Sequence, residues 1–164
     1  INTPALDGVS VAQELAAFVK SNPYDLIIAG RESIDYNGAM VPGMLAALLD
    51  IPFVPNCVGL DIDGTTAVAE REIDGGREKL KGSLPMVIGC QKGLVEESDL
   101  RIPNMRGIMQ ARQKPFEIVP PQEAIAATQD VKFEKPAEKA EVKLVPAEDL
   151  DQLIDLLHKE ANVL

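Results

Sequence analysis

Asp25-Leu26-Ile27-Ile28-Ala29-Gly30 is a short, nearly unbroken apolar run that ends on glycine, and the polar loop Arg31-Glu32-Ser33-Ile34-Asp35-Tyr36-Asn37-Gly38 follows it. A run of this length and composition reads as a strand buried on both faces, the pattern of a parallel sheet. Upstream, residues 9–20 place Val9, Ala12, Leu15, Ala16 and Val19 at a helical period, with Asp7-Gly8 as the start and Asn22-Pro23 as the stop. Downstream, a second helix begins near Ala39 and runs through Met44, Leu45, Ala46, Leu48 and Leu49. Pro42 falls in its first turn, where no intrahelical N–H bond is lost. Helix, tight loop, apolar strand and helix are the parts of a βαβ unit, so the expected fold class is α/β.

From Pro52 the period changes to two. Residues 53–62, the turn Asp63-Gly64 and residues 65–73 read as a hairpin, and Asp74-Gly75-Gly76 turns the chain again into residues 77–80. Residues 84–89 (Leu-Pro-Met-Val-Ile-Gly) make another buried strand, followed by a loop over 90–103, a helix near 105–112 and a strand over 116–119. The expected sheet therefore mixes parallel and antiparallel pairing. Residues 120–146 hold four prolines and alternating Lys and Glu, the composition of an extended linker. Residues 147–164 form an amphipathic helix with Leu150, Leu153, Ile154, Leu157 and Ala161 on one stripe. The expected organisation is thus an α/β domain over 1–119, a linker over 120–146 and a terminal helix over 147–164. That helix either packs back on its own domain or clasps a partner subunit.

Composition narrows the function classes. The 164 residues carry 16 Lys and Arg against 26 Asp and Glu, a net charge of -10, which disfavours nucleic acid and anionic lipid surfaces as partners. The longest apolar stretch, residues 44–54, is broken by Asp50 and Pro52, so membrane insertion is not expected. Cys57 and Cys90 lack metal-ligand spacing and read as buried structural thiols in a reducing cytoplasm. One histidine, His158, leaves little room for a Ser-His-Asp triad, and the absence of Trp argues against stacking surfaces. The start at Ile1, with no basic or apolar leader after it, reads as a cut inside a longer polypeptide.

Two stretches carry candidate chemistry. The loop from Gly30 to Val41 follows the carboxyl end of a parallel strand and opens a helix, the place where α/β sheets hold ligands. Gly38 admits a close backbone approach, and the N–H groups of Ala39, Met40 and Val41 would face an anion there. Asp35 and Asn37 would bind ribose hydroxyls or order the loop; the same pattern is also that of a structural turn. The second stretch, Ala69-Glu70-Arg71-Glu72-Ile73-Asp74-Gly75-Gly76-Arg77-Glu78, is dense in charge. It reads either as a solvated hairpin tip with cross-strand Glu–Arg pairs or as a site, with Glu70 and Glu72 on one strand face.

Glu70-Arg71-Glu72-Ile73-Asp74-Gly75-Gly76, Leu84-Pro85, Ile102-Pro103-Asn104 and Ile108-Met109-Gln110-Ala111-Arg112-Gln113-Lys114-Pro115, taken in order, closely resemble the beta subunit of electron transfer flavoproteins. The resemblance runs over residues 23–119. It implies a Rossmann-like sheet of the adenine nucleotide alpha hydrolase type and a heterodimer with an alpha subunit that carries the redox-active FAD. The beta subunit would hold AMP, or a second FAD in electron-bifurcating members. The family's nucleotide-phosphate loop matches Asp35 to Val41, with Gly30 at its entrance, but Met40 stands where a polar amide is usual and Pro42 where a glycine is. Backbone N–H groups would then have to serve.

The resemblance also implies that Glu72 lies near the partner's flavin. It implies that residues 98–104 dock flavin dehydrogenases such as acyl-CoA dehydrogenases, with Ile102 as the anchor beside Leu100 and Pro103. An inward-packed Leu100 and Ile102 pair is the alternative there. Roughly the first third of a family member, including the opening strand of its sheet, would precede Ile1. The expected function is a non-enzymatic electron carrier subunit passing electrons from dehydrogenases to a downstream acceptor. The rival is a stand-alone adenine-nucleotide sensor, which has no use for a long clasping arm.

Overall fold

The computed structural model describes residues 7–34, 36–122, 125–139 and 142–163. The chain divides into two units, Ile1–Gln129 and Asp130–Leu164. In the first, the elements run α1 (Gly8–Ser21), β1 (Leu26–Gly30), α2 (Val41–Leu49), β2 (Phe53–Asp63), β3 (Thr66–Ile73), β4 (Gly76–Ser83), β5 (Met86–Cys90) and α3 (Met105–Ala111). The strands form one open five-stranded sheet in the order β1-β5-β2-β3-β4. β5 lies between β1 and β2 and is parallel to both, whereas β2, β3 and β4 form an antiparallel meander. The mixed α/β sheet expected from the sequence is the one observed.

β2 belongs to both halves of the sheet. Phe53, Val54 and Cys57 pair with Val87, Ile88 and Cys90 of β5, and residues from Cys57 to Asp63 pair with β3. The register shifts at this handover, and Asn56 there takes a left-handed φ of 50°. A bulge of this kind bends the strand and re-aims its side chains. The two Asp-Gly turns form as their sequence requires, with Gly64 at φ 58° and Gly75 at φ 85°.

The core gathers on β5 and its neighbours, where Val87, Ile88 and Cys57 are fully buried. α2 sits on β5 and β2 through Gly43 and Gly89: a Cβ on either would come within 3.4 Å of the Phe53 ring, at 3.3 Å and 3.4 Å. The ring therefore wedges between helix and sheet only because both positions lack a side chain. The expectation that β1 is buried on both faces fails. Among the described residues its sheet partner is β5 alone, so it stands at the edge of this sheet, and Ile28 is 65% exposed. Burial pushes the thiol pKa values of Cys57 and Cys90 up, and for Cys90 the nearby Cys57 adds to the rise. Such thiols are inert at neutral pH.

α1 is capped by Asp7, whose carboxylate accepts from the Ser10 N–H at 2.7 Å while the Ser10 hydroxyl accepts from the Asp7 N–H at 3.0 Å. The helical stripe correctly places Ala12 and Ala16 in the core, but Ser10 and Glu14 are buried too. A returning strap of chain bonds to Glu14 and to the capping Asp7. The Gln122 N–H donates to both oxygens of Glu14 at 2.9 and 2.8 Å, and the N–H groups of Ala127 and Thr128 donate to the free oxygen of Asp7 at 2.6 and 2.8 Å. Two carboxylates on α1 thus supply the acceptors that an irregular strap cannot supply to itself.

Asp7 also gives the fold an acid-sensitive contact. The Ser10 N–H first, then those of Thr128 and Ala127, hold its carboxyl well below the usual carboxylate range against a partial desolvation. A depressed carboxylate contributes stability that is present above its unfolded value of about 3.9 and is lost as pH falls through its folded value. Urea midpoints of the wild type and Asp7→Asn are therefore expected to differ at pH 7 and to converge steadily below about pH 4. A gap that stays constant down to pH 2 would refute the assignment.

Residues 116–119 form no strand, contrary to expectation, and Phe116 and Ile118 stand 89% and 70% exposed. Pro115, Pro120 and Pro121 hem in a run of four residues and remove the donors a ladder needs. In the second unit the terminal helix is shorter than residues 147–164. α4 spans Leu150–Asp155, continues as a wide turn over Leu156–Glu160 with the Ala161 N–H bonded to the Leu156 carbonyl at 2.9 Å, and ends near Asn162 at φ 50°. A helix this short is marginal without a surface to cover its stripe. Leu150, Leu153 and Ile154 are 62%, 40% and 53% exposed.

Candidate functional site

One register row crosses all five strands: Gly30 pairs with Cys90, Cys90 with Cys57, Cys57 with Arg71 and Arg71 with Glu78. β1 and β5 both end on this row, so Arg31 and Gln91 leave the sheet side by side at the carboxyl ends of parallel strands. The β2 bulge at Asn56 opens the row beside them, and β3 continues past it to Glu72. The result is a cleft of about 500 Å³ lined by Arg31, Asn56, Arg71, Glu72, Asp74 and Gln91, with Pro55 and Ile73 as its apolar wall.

The hairpin charges pair across the strands as the alternation predicts. Arg71 is paired with Glu78; Arg77 lies 3.2 Å from Glu70 and 4.0 Å from Glu72, and Lys79 lies 3.6 Å from Glu70. Most of these side chains are a quarter exposed or more, so each pair contributes at most about 1 kcal/mol. Glu72 differs from the others because it also reaches across the bulge. Its Oε2 accepts from Nε2 of Gln91, a residue 19 positions away in sequence. The Gln91 backbone is fixed at both groups: its N–H donates to the Cys57 carbonyl at 3.0 Å and its carbonyl accepts from Leu94 at 3.3 Å. Sequence reasoning missed Gln91 and Asn56 and gave Arg31 no role beyond its place in the Gly30 to Val41 loop; the usable signal was that two parallel strands end at Gly30 and Cys90.

The loop singled out beside Gly30 is shaped by its backbone. Asn37 and Ala39 both take left-handed φ values of 48°, and Met40 follows at φ -98°, ψ -28°. Asn tolerates that region; Ala39 is strained there by about 1 kcal/mol. Left-handed followed by right-handed residues turn successive N–H groups toward one concave side, a shape that cradles anions. α2 begins directly at Val41, with Pro42 in its first turn, so the leading N–H groups lack helical acceptors. Met40 supplies no polar atom. Its thioether lies over Gly38 and against Gly8, where a Cβ would meet it at 3.4 and 2.4 Å. Space above Gly30 is open, with nothing within 4 Å of a Cβ built there. These residues fit a phosphate held by main-chain donors. Asp35 lies outside the described residues.

The third predicted group stands apart from this cleft. Leu100 and Ile102 are 53% and 82% exposed and Pro103 is exposed too, so the inward-packed alternative is not seen in this chain. Asn104 caps α3 by accepting from the Gly107 N–H at 2.8 Å, and Met105, Ile108 and Met109 on that helix are exposed.

Known proteins share this arrangement's sequence. The electron transfer flavoprotein subunit beta of Bacillus subtilis strain 168 is 36% identical over 168 residues, covering 96% of this chain and 64% of that protein. The proteins of the same name from Syntrophomonas wolfei and Mus musculus are 33% and 32% identical, over 83% and 89% of this chain and 53% and 58% of their own lengths. The chain thus spans between about half and two thirds of these relatives. The family model described as electron transfer flavoprotein domain matches residues 1–124. With its sheet, its charged hairpin and that match over most of its length, the chain belongs to the electron transfer flavoprotein domain family.

Proposed function

We propose that this chain acts as the beta-side subunit of a heterodimeric electron transfer flavoprotein. An alpha-type partner carries the redox-active FAD, and that flavin supplies the electron chemistry. This chain contributes a main-chain phosphate cradle at Gly38 to Val41 for AMP or a second FAD, and a carboxylate wall at Glu72. It also contributes the exposed segment Leu100–Pro103, where flavin dehydrogenases dock before electrons pass to a downstream acceptor. The terminal stripe of α4 clasps the partner subunit. The observation that carries this reading is Glu72, a carboxylate tied by Gln91 into a polar cleft at the carboxyl ends of β1 and β5. No acid–base pair is needed for such a role, since electron transfer requires only that cofactors come close.

The test is to produce the full-length form of this protein together with an alpha-type partner and to record the visible spectrum of the purified complex. A yellow heterodimer supports the proposal, and its flavin-to-dimer ratio separates one FAD plus AMP from two FAD. A colourless chain that purifies alone and binds adenine nucleotides would overturn it in favour of a sensor. In the heterodimer, Glu72→Gln removes a negative charge that opposes electron gain by a neighbouring flavin. Redox titration is expected to show the flavin reduced more easily by about 1 kcal/mol, the scale of one screened unit charge at short range.

A further inference from the structure

We propose that Gln91 is a positioning residue for Glu72, fixing where its charge stands in the cleft; this rests on the reading of Glu72 given above. Glu72 sits at the end of β3, 40% exposed, on a hairpin where Arg71 pairs with Glu78 and Arg77 and Lys79 lie beside Glu70. Two groups act on its carboxylate from opposite sides. Gln91 donates to Oε2, and Arg77 lies 4.0 Å from Oε1 on β4. The two holders are unequal. Arg77 is 59% exposed on a long flexible stem and is already engaged with Glu70 at 3.2 Å. Gln91 has its own N–H and carbonyl bonded at 3.0 and 3.3 Å. It is therefore anchored beside the central strands β2 and β5, whereas the Arg77 backbone is held on the outer strand β4 and only its side chain is loosely placed. A carboxylate only accepts, so the amide must present Nε2 to it, which sets the orientation of Gln91. Without that donor, Glu72 is left to Arg77 and swings toward β4, away from Asn56 and the β5 end.

A double-mutant cycle in the flavin-loaded heterodimer tests this, comparing wild type, Gln91→Leu, Glu72→Gln and the double variant by redox titration. Leucine keeps the bulk and removes the donor. Gln91→Leu is expected to change the equilibrium constant for flavin reduction in the same direction as Glu72→Gln, by about threefold. It is expected to change nothing in the Glu72→Gln background, because its effect passes through that carboxylate. An equal effect in both backgrounds, or none in either while Glu72→Gln still shifts the potential, overturns the role of Gln91 and leaves Glu72 standing. No shift from Glu72→Gln itself overturns the reading of Glu72 and this one with it. A second readout needs no flavin. In the flavin-free heterodimer, the side-chain amide protons of Gln91 are expected to move upfield in the NMR spectrum of Glu72→Gln; unchanged resonances would refute the bond.

Discussion

Replacing Ile88 with alanine is expected to lower folding stability by about 2–5 kcal/mol, the largest loss of any single aliphatic truncation among the described residues. Ile88 is fully buried in the central strand β5, held between β1 and β2 by the pairs Ile28↔Ile88 and Val54↔Ile88. Its cluster includes Cys57, Ala67, Ala69 and Met86. Two of those neighbours are alanines with no reach, and hydrogen bonds on both sides keep the strand from sagging into the void. The cavity therefore stays open, and the cost lies above the transfer term alone. Ile28 offers the control. It is paired with Ile88 yet 65% exposed, so Ile28→Ala is expected to lose less than about 1 kcal/mol. Urea unfolding of the two variants measures both, and equal losses would contradict the exposed edge at β1.

The same pair shows where the sequence is legible. Leu26 to Gly30 reads as a strand because apolar continuity is a local signal, but whether a strand is central or at an edge is set by what pairs with it. β5 comes 56 residues or more after β1 in the chain and enters between β1 and β2. No period in residues 26–30 reports that insertion. The hairpin was readable almost to the residue, since Asp63-Gly64 and Asp74-Gly75 specify positive φ and alternation specifies the faces. The cradle loop was located by its place after a strand, and its left-handed Ala39 was not, because alanine carries no signal for that conformation.

The helix α1 was legible, but the burial of Glu14 on it and the length of the terminal helix were not, for related reasons. A helical stripe finds the apolar face, yet Glu14 is buried because a strap of backbone donors needs acceptors, which hydropathy does not encode. The stripe of residues 147–164 was real, but a stripe promises a helix only where something covers it. Gln91 is the clearest case. A glutamine after a strand has no pattern of its own; it meets Glu72 only because the β2 bulge shifts the register of both neighbouring strands. Chemistry at this site is thus a consequence of register, which is a property of the whole sheet.

On the proposed function, Ile102→Asp is expected to lower the kcat/KM for reduction by a partner dehydrogenase by about 30-fold or more, the effect of losing an interface anchor worth about 2 kcal/mol. Ile102 is 82% exposed, so it buries almost nothing in its own chain. An aliphatic knob held out this way contributes energy only when a partner desolvates it, and aspartate both removes the apolar contact and places a charge in the pocket. The surrounding charges sharpen the expectation. Glu96, Glu97, Asp99 and Arg101 precede the knob and Arg106 follows it, so the substitution adds to the acidic side of a polar rim and alters the electrostatics of encounter with a charged partner as well. The flavin potential, visible spectrum and urea midpoint are expected to stay at wild-type values, because the cleft at Glu72 and the core at Ile88 lie in other elements. Stopped-flow reduction at several salt concentrations separates the two contributions: the lost contact persists at high salt, while the charge effect fades. A variant that unfolds more easily yet accepts electrons at the wild-type rate would show that Ile102 serves the fold and that docking lies elsewhere.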